Sequence, residues 1–405
     1  MRLVTVKLAA LLILSAGAAW PQLLTPVWVE ASDSGSVARV VVNGRGDCPE
    51  ITVDGVTHRM AVRLPIPRGL RPACEWKIPA AAKSASVNGK NLALPHADPS
   101  HIVVIGDTGC RIKLPAVQDC NDPAKWPFHR VAERAAESKP DLVIHVGDYL
   151  YRESPCPPES KAQCGGTPIG DTWEAWNADF FEPAAPLLAA APWAPVRGNH
   201  EDCLRAWRGW FYYLDPRPFH RSCDRYSPPY LVKLGAFELA MFDSATAAPR
   251  RDLDPKGMKR YMRELANLHA EHAWFVAHHP IWGLAAGPKP TDPAAETSTN
   301  LTKAWEAKPP AGIDFILSGH IHLFELLTFD QARPPQLVAG DGGTQMGMPI
   351  PARLAGVKLN GATLLSAQDA HEFGYTTLRK AAGGWELALT SVTGHVIETA
   401  KLPIP

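Results

Sequence analysis

Short apolar runs, each closed by a glycine or another abrupt break, recur through the middle of the chain. They cover residues 101–105, 142–146, 193–196, 273–277 and 313–317. Each is too short for a helix and apolar almost throughout, the pattern of a strand covered on both faces. Residues 128–138, 172–190 and 255–268 instead carry helical spacing. Strands alternating with helices predict a layered α/β core, α+β in some schemes. Further strands are expected over 231–234 and 237–242. Residues 323–329, 336–339, 375–378 and 385–391 are expected to close the chain as antiparallel strands. Ahead of residue 101 the pattern differs. Short strands at 27–30, 36–42, 50–53 and 58–64, with turn residues between them, predict a small β-rich module over 25–98, joined by a linker at 95–100. No internal repeat or low-complexity segment interrupts this order.

The breaks carry the polar residues that stand out. They read Gly106-Asp107-Thr108-Gly109, Gly147-Asp148-Tyr149-Leu150-Tyr151, Arg197-Gly198-Asn199-His200-Glu201, His278-His279-Pro280 and Gly319-His320-Ile321-His322. In open α/β sheets ligands bind where strands hand over to loops. A capping role for Asp107 or Asp148, or a turn role for Asn199, would explain any one of them. It does not explain five successive strand ends.

Length and charge narrow the picture. The 405 residues can bury a sizeable core. Acidic and basic residues balance at 41 each, so nucleic acid is not an expected partner. Residues 1–19 read as a secretory signal: Arg2 and Lys7, an apolar core over 8–14, then small residues from Ser15 to Ala19. The apolar core is short for a membrane span, and no later stretch qualifies as one. A secreted or periplasmic location follows, and an oxidising compartment with it. The eight cysteines fall into neighbouring twos, which predicts Cys48–Cys74, Cys110–Cys120, Cys156–Cys164 and Cys203–Cys223 as disulfides stapling loops. No Cys-x-x-Cys occurs, against a zinc ribbon or redox motif.

Asp107, Asp148, Asn199, His278, His320 and His322 together offer carboxylate, amide oxygen and imidazole, with no thiolate. That donor set suits Zn, Fe or Mn and suits calcium poorly. It exceeds what one ion needs, so two metals sharing a bridging carboxylate are expected. Such a pair can hold both the attacking and the leaving oxygen in a displacement at phosphorus.

The order GD-x-G, GD-x-x-Y, GNH-E, a strand-end His and GH-x-H resembles the calcineurin-like metallophosphoesterase superfamily. Within it the chain is most similar to purple acid phosphatases, over about residues 101–379. The resemblance implies a β-sandwich flanked by helices, with a catalytic domain over 101–405. It implies Asp107, Asp148, Tyr151 and His322 at a first metal, and Asp148, Asn199, His278 and His320 at a second, with Asp148 bridging. His200 would contact phosphate and protonate the leaving oxygen, while hydroxide activated by the two cations attacks phosphorus. Many superfamily members carry a metal-binding His where this chain has Gly109. Tyr151 stands where purple acid phosphatases place a tyrosinate on Fe(III), a hard anionic donor that suits that ion; the second ion would be Fe, Zn or Mn. The family's His-x-Pro form selects His278, whereas a Val-x-x-His count from Val276 selects His279. His278 is preferred, leaving His279 to touch substrate or to pack. Glu201, Asp243 and Asp341 are expected to support ligands rather than to bind metal. The function implied is hydrolysis of small phosphate monoesters. The alternatives are a phosphodiesterase or nucleotidase with the same metals, or a binding protein whose site has decayed.

Overall fold

A computed structural model describes residues 22–405 except 45–46, 248–252, 287–292, 296–297, 331–332 and 351–353. The signal segment expected over 1–19 lies outside the described residues. Two large sheets dominate. One has ten strands, among them the parallel trio His101–Ile105, Leu142–His145 and Trp193–Pro195. The other has eight, centred on the parallel strands Phe237–Met241, Ala273–Val276, Ile313–Ser318 and Gln336–Ala339.

The apolar runs are continuous because each sheet is covered on both faces. Ile102, Val104, Leu142 and Ile144 point between the sheets, against Trp274, Val276, Phe315 and Leu317. Their neighbours Val103, Ile105 and Val143 face the helical layer instead. There the Phe128–Glu137 helix buries Phe128, Val131, Ala132 and Ala135, one stripe at helical spacing. On the far side of the second sheet, the Pro255–Ala266 and Thr299–Ala307 helices cover Ala240, Phe275 and Ile316.

The segment expected as one helix over 172–190 is helical in three pieces. Trp173–Trp176 leads into a π-helical turn, Asn177–Phe181, and then Glu182–Ala190. Pro183 and Pro186 lack the N–H that regular helix bonding requires, so the chain widens just before them. The Thr299–Ala307 helix and the Ala73–Ile78, Ala362–Ala370 and Val396–Leu402 strands were not expected. Gln336–Ala339, expected antiparallel, also pairs in parallel with Ile313–Ser318.

The described N-terminal residues form eight strands, and four of these extend the central sheet. Trp28–Ser32 runs parallel to Trp193–Pro195, with Glu30 opposite Trp193. Gly35–Val41, Ala73–Ile78 and Ala61–Val62 follow outward. Glu50–Val53, Val56–Arg59, Ala85–Val87 and Lys90–Asn91 make a separate small sheet. All four expected disulfides are present. No described helix is long and apolar enough to cross a membrane.

Buried Arg39 ties these N-terminal strands to the aromatic insertion over 202–229. Its guanidinium donates to Glu30 Oε2 (2.8 Å), Glu75 Oε2 (3.1 Å) and the carbonyls of Tyr213 (2.9 Å) and Asp215 (2.7 Å). Tyr212 and Tyr213 are buried, and their hydroxyls bond the backbone of Arg63 and Arg71. These rings therefore pack the insertion against the sheet. Arg39→Met leaves Glu30 buried without its cation and is expected to cost about 3–5 kcal/mol in denaturant unfolding. A loss under about 1 kcal/mol would contradict this tie.

Candidate metal centre

The strand ends converge on one rim. Ile105 lies beside His145 and His145 beside Pro195 in the first sheet; Val276 lies beside Leu317 and Ser318 beside Val338 in the second. The loops that leave these ends carry all seven expected ligands to one buried place. Asp107, Asp148 and His320 adopt left-handed backbone, with φ of 52°, 60° and 73°. Such conformations cost roughly 1–3 kcal/mol each for a side-chain-bearing residue and persist only where surroundings hold them. Here Asp107 N bonds Gly147 O (3.0 Å), Thr108 N bonds Asp148 O (3.1 Å) and His320 N bonds Asp107 Oδ2 (2.9 Å).

Two overlapping groups share Asp148. In the first, the Tyr151 hydroxyl lies 2.9 Å from Asp107 Oδ1, 2.8 Å from Asp148 Oδ2 and 3.0 Å from His322 Nε2. In the second, His278 Nε2 lies 3.2 Å from Asp148 Oδ2 and 3.0 Å from Asn199 Oδ1, and His320 Nδ1 lies 2.8 Å from that same amide oxygen. Donor atoms of Asp148, His278 and His320 all fall within 4.8 Å of one another.

The tautomers follow from backbone carbonyls. His322 Nδ1 donates to Gln345 O (3.0 Å) and His278 Nδ1 to Val146 O (2.9 Å). In the neutral rings both Nε2 atoms therefore present lone pairs to the site. Tyr151 has one hydrogen for three facing acceptors. Across the shared carboxylate, a neutral His278 would face two more oxygens with a lone pair. The donor set is short of positive charge, which bound cations would supply.

The titration behaviour has the same cause. Burial, then the neighbouring Asp148 charge, push the Asp107 carboxyl well above its usual range against the pull of His278. Burial acts upward on Asp148 too, but His278 and His200 outweigh it and hold that carboxyl well below its usual range. Against the desolvation of its ring, Asp148 raises His278 to about 9, so a proton on His278 stands where a cation would act. Burial and the two carboxylates raise the Tyr151 phenol well above 10. Burial lowers His322 to about 3, and His320 and His279 well below their ordinary value.

The surrounding shell holds this arrangement. Glu201, buried, accepts from the N–H groups of Tyr149 (2.8 Å), Leu150 (3.1 Å) and Gly198 (3.1 Å), locking the Asp148 loop to the Asn199 loop. Asp243 pairs with Arg197 and accepts from Ser227 N. Asp341 is buried, and burial raises it to about 7. At Gly109 a Cβ would lie 2.7 Å from Tyr149 O and 2.9 Å from Tyr151 N, so the loop passes here only without a side chain.

Two residues escaped sequence reading. Asp179, in the π-helical turn, accepts from Cys110 N (3.0 Å), Tyr151 N (2.7 Å) and Arg152 Nε (2.6 Å), and so fixes the backbone beneath the phenol. Glu153 lies 2.7 Å from His200 Nδ1, and the His200 ring packs 3.7 Å from that of Tyr151. Burial works to raise Glu153, but His200, Arg205 and Lys113 bring it down to about 2. Its place two residues after Tyr151 was the available signal.

The model of calcineurin-like phosphoesterases matches residues 100–324, more than half of the chain, and the chain belongs to that family. The fold is similar to that of purple acid phosphatase PPD1 from yellow lupin (Lupinus luteus) seeds. That match has 13% identity and a TM-score of 0.57 over 93% of this chain and 74% of the lupin chain. It is also similar to PhoD, at 10% identity and a TM-score of 0.56 over 95% of this chain and 90% of that one. At such identities the likeness is one of fold. No curated protein matches the sequence.

Gly198 offers a direct check on the shared carboxylate. A Cβ there would fall 2.1 Å from both the N and Oδ1 atoms of Asp148. Gly198→Ala is expected to displace Asp148 and lower metal affinity about 10–100-fold, read as metal retained after dialysis. Unchanged retention would show that Asp148 does not hold metal.

Proposed function

We propose that the chain is an exported phosphoesterase that hydrolyses small phosphate monoesters with a dinuclear metal centre. The convergence of Asp107, Asp148 and His322 on the Tyr151 hydroxyl carries this reading. Asp107, Asp148, Tyr151 and His322 would hold one ion and Asp148, Asn199, His278 and His320 the other. A phenolate and two carboxylates are hard anionic donors, which favours Fe(III) at the first position; the imidazoles and amide of the second suit Fe, Zn or Mn. When bound, the cations would acidify a water molecule and neutralise charge developing on phosphoryl oxygens.

The chain's own groups supply the rest. Glu153 fixes the imidazole of His200 from its Nδ1 side. Nε2 then faces the site, 3.8 Å from Asp148 Oδ2. His200 is therefore the residue to give a proton to the leaving oxygen. The four disulfides support the oxidising compartment implied by residues 1–19.

A phosphodiesterase or nucleotidase is the second reading. It is favoured by a cavity of about 470 Å³ beside Asn199 and His320, which has room for a larger substituent. Assay of aryl phosphate monoesters and diesters with Fe, Zn or Mn separates the two. Monoester turnover at least about tenfold faster is expected; diester preference would reverse the assignment, and no turnover with any metal would remove both readings. Iron-loaded protein is expected to show visible charge-transfer colour that Tyr151→Phe abolishes. A colourless iron-loaded protein would exclude the tyrosinate.

A further inference from the structure

The disulfide Cys203–Cys223 brings two arginines to one wall. Arg205 and Arg225 each stand two residues past one of its cysteines. Both line the cavity of about 470 Å³ beside Asn199 and His320. Thr246, which also lines it, donates from Oγ1 to Arg225 O at 3.3 Å and so fixes the second segment in place.

The two cations differ in what already meets them. Arg205 Nη1 lies 3.4 Å from Glu153 Oε1, and its Nε lies 3.8 Å from Asp202 Oδ2. Its side chain is nevertheless 27% exposed, so it is not sealed off from the cavity. Arg225 is exposed, and no ion pair engages its guanidinium among the described residues. Among those residues Asp202 is the one acid lining the cavity, so the wall carries two guanidiniums against one carboxylate. Such a surplus concentrates anions near it. A guanidinium also matches a carboxylate or phosphate with paired N–H donors. Asn199 and His320 are proposed ligands of the second ion. A phosphoryl group held there would lie against this lining, and the ester's leaving group would occupy the volume bordered by the arginines.

We infer that the cavity is a subsite for a second anionic group. The preferred substrates are phosphate monoesters whose leaving group carries a carboxylate or a further phosphate. Arg225 supplies the open contact that selects them, and Arg205, held by Glu153 and Asp202, adds to the positive field. The inference rests on the phosphoesterase reading and adds the substrate class to it.

The test compares metal-loaded wild type with Arg225→Gln, Arg225→Glu and Arg225→Lys. The substrates are phenyl phosphate, para-carboxyphenyl phosphate and hydroquinone bisphosphate. The readout is the ratio of kcat/KM for each anionic substrate to that for phenyl phosphate. Comparing each variant's ratio with the wild-type ratio cancels the differing acidities of the leaving groups. Wild type is expected to favour at least one anionic substrate, and which one identifies the group bound. Arg225→Gln is expected to lower that ratio about three- to fivefold, the size of an exposed ion pair. Arg225→Glu should lower it further, and Arg225→Lys should retain most of it. The wild-type ratio should also fall as NaCl is raised, a check that needs no variant to fold. An unchanged ratio in Arg225→Glu, or a wild-type ratio that salt does not move, would overturn the subsite. Hydrolysis of phenyl phosphate, and the phosphoesterase reading with it, would then still stand. No turnover of any of the three esters with Fe, Zn or Mn would instead remove both.

Discussion

A carboxylate taken out of water needs charge or hydrogen-bond donors close by, and Asp148 is wholly enclosed. The site is built around meeting that need. His200 N donates to one of its oxygens at 2.8 Å. The Tyr151 hydroxyl and His278 Nε2 approach the other at 2.8 and 3.2 Å. Asp107 lies behind the same phenol as a second buried acid. Two acids, a phenol and four imidazoles or amides in one enclosed space make a poor apolar core. As a cage for cations they are consistent with one another.

The two-sheet architecture makes this concentration affordable. Apolar layers on both faces of each sheet fix the strands, and the strands end together at one rim. The polar residues occupy only the loops beyond those ends, where left-handed backbone at Asp107, Asp148 and His320 turns the side chains inward. Supporting groups lie one layer further out. Glu201 and Asp179 accept backbone N–H groups of the ligand loops, and Glu153 aligns His200. The insertion that walls the cavity is anchored through Arg39 and Arg63, so the N-terminal strands bear indirectly on the shape of that cavity.

How much of this could be read in advance follows from how local each signal is. The strands His101–Ile105, Leu142–His145 and Ala273–Val276 were legible because burial on both faces leaves an unbroken apolar run. The proposed ligands were legible because each lies within a few residues of the end of such a run. Strand Ala73–Ile78 was not: Glu75 and Lys77 break its pattern, and its place depends on pairing with distant Gly35–Val41. The merging of the N-terminal strands with the central sheet rests on one long-range pairing, Glu30 with Trp193, that no local pattern encodes. Asp179 and Glu153 were missed for a related reason. Their chemistry exists only once the chain has folded a π-helical turn under Tyr151 and brought His200 beside the tyrosine loop.

The shared carboxylate is the point on which all of this turns, and metal stoichiometry interrogates it most directly. Elemental analysis of purified wild-type protein and of Asp148→Asn, reconstituted with iron and zinc and then dialysed, should give two metals per chain in the first. In the second, both positions should be depleted together, since each would lose the same donor. One metal or none in the wild type, or two retained in Asp148→Asn, would contradict a centre bridged by Asp148.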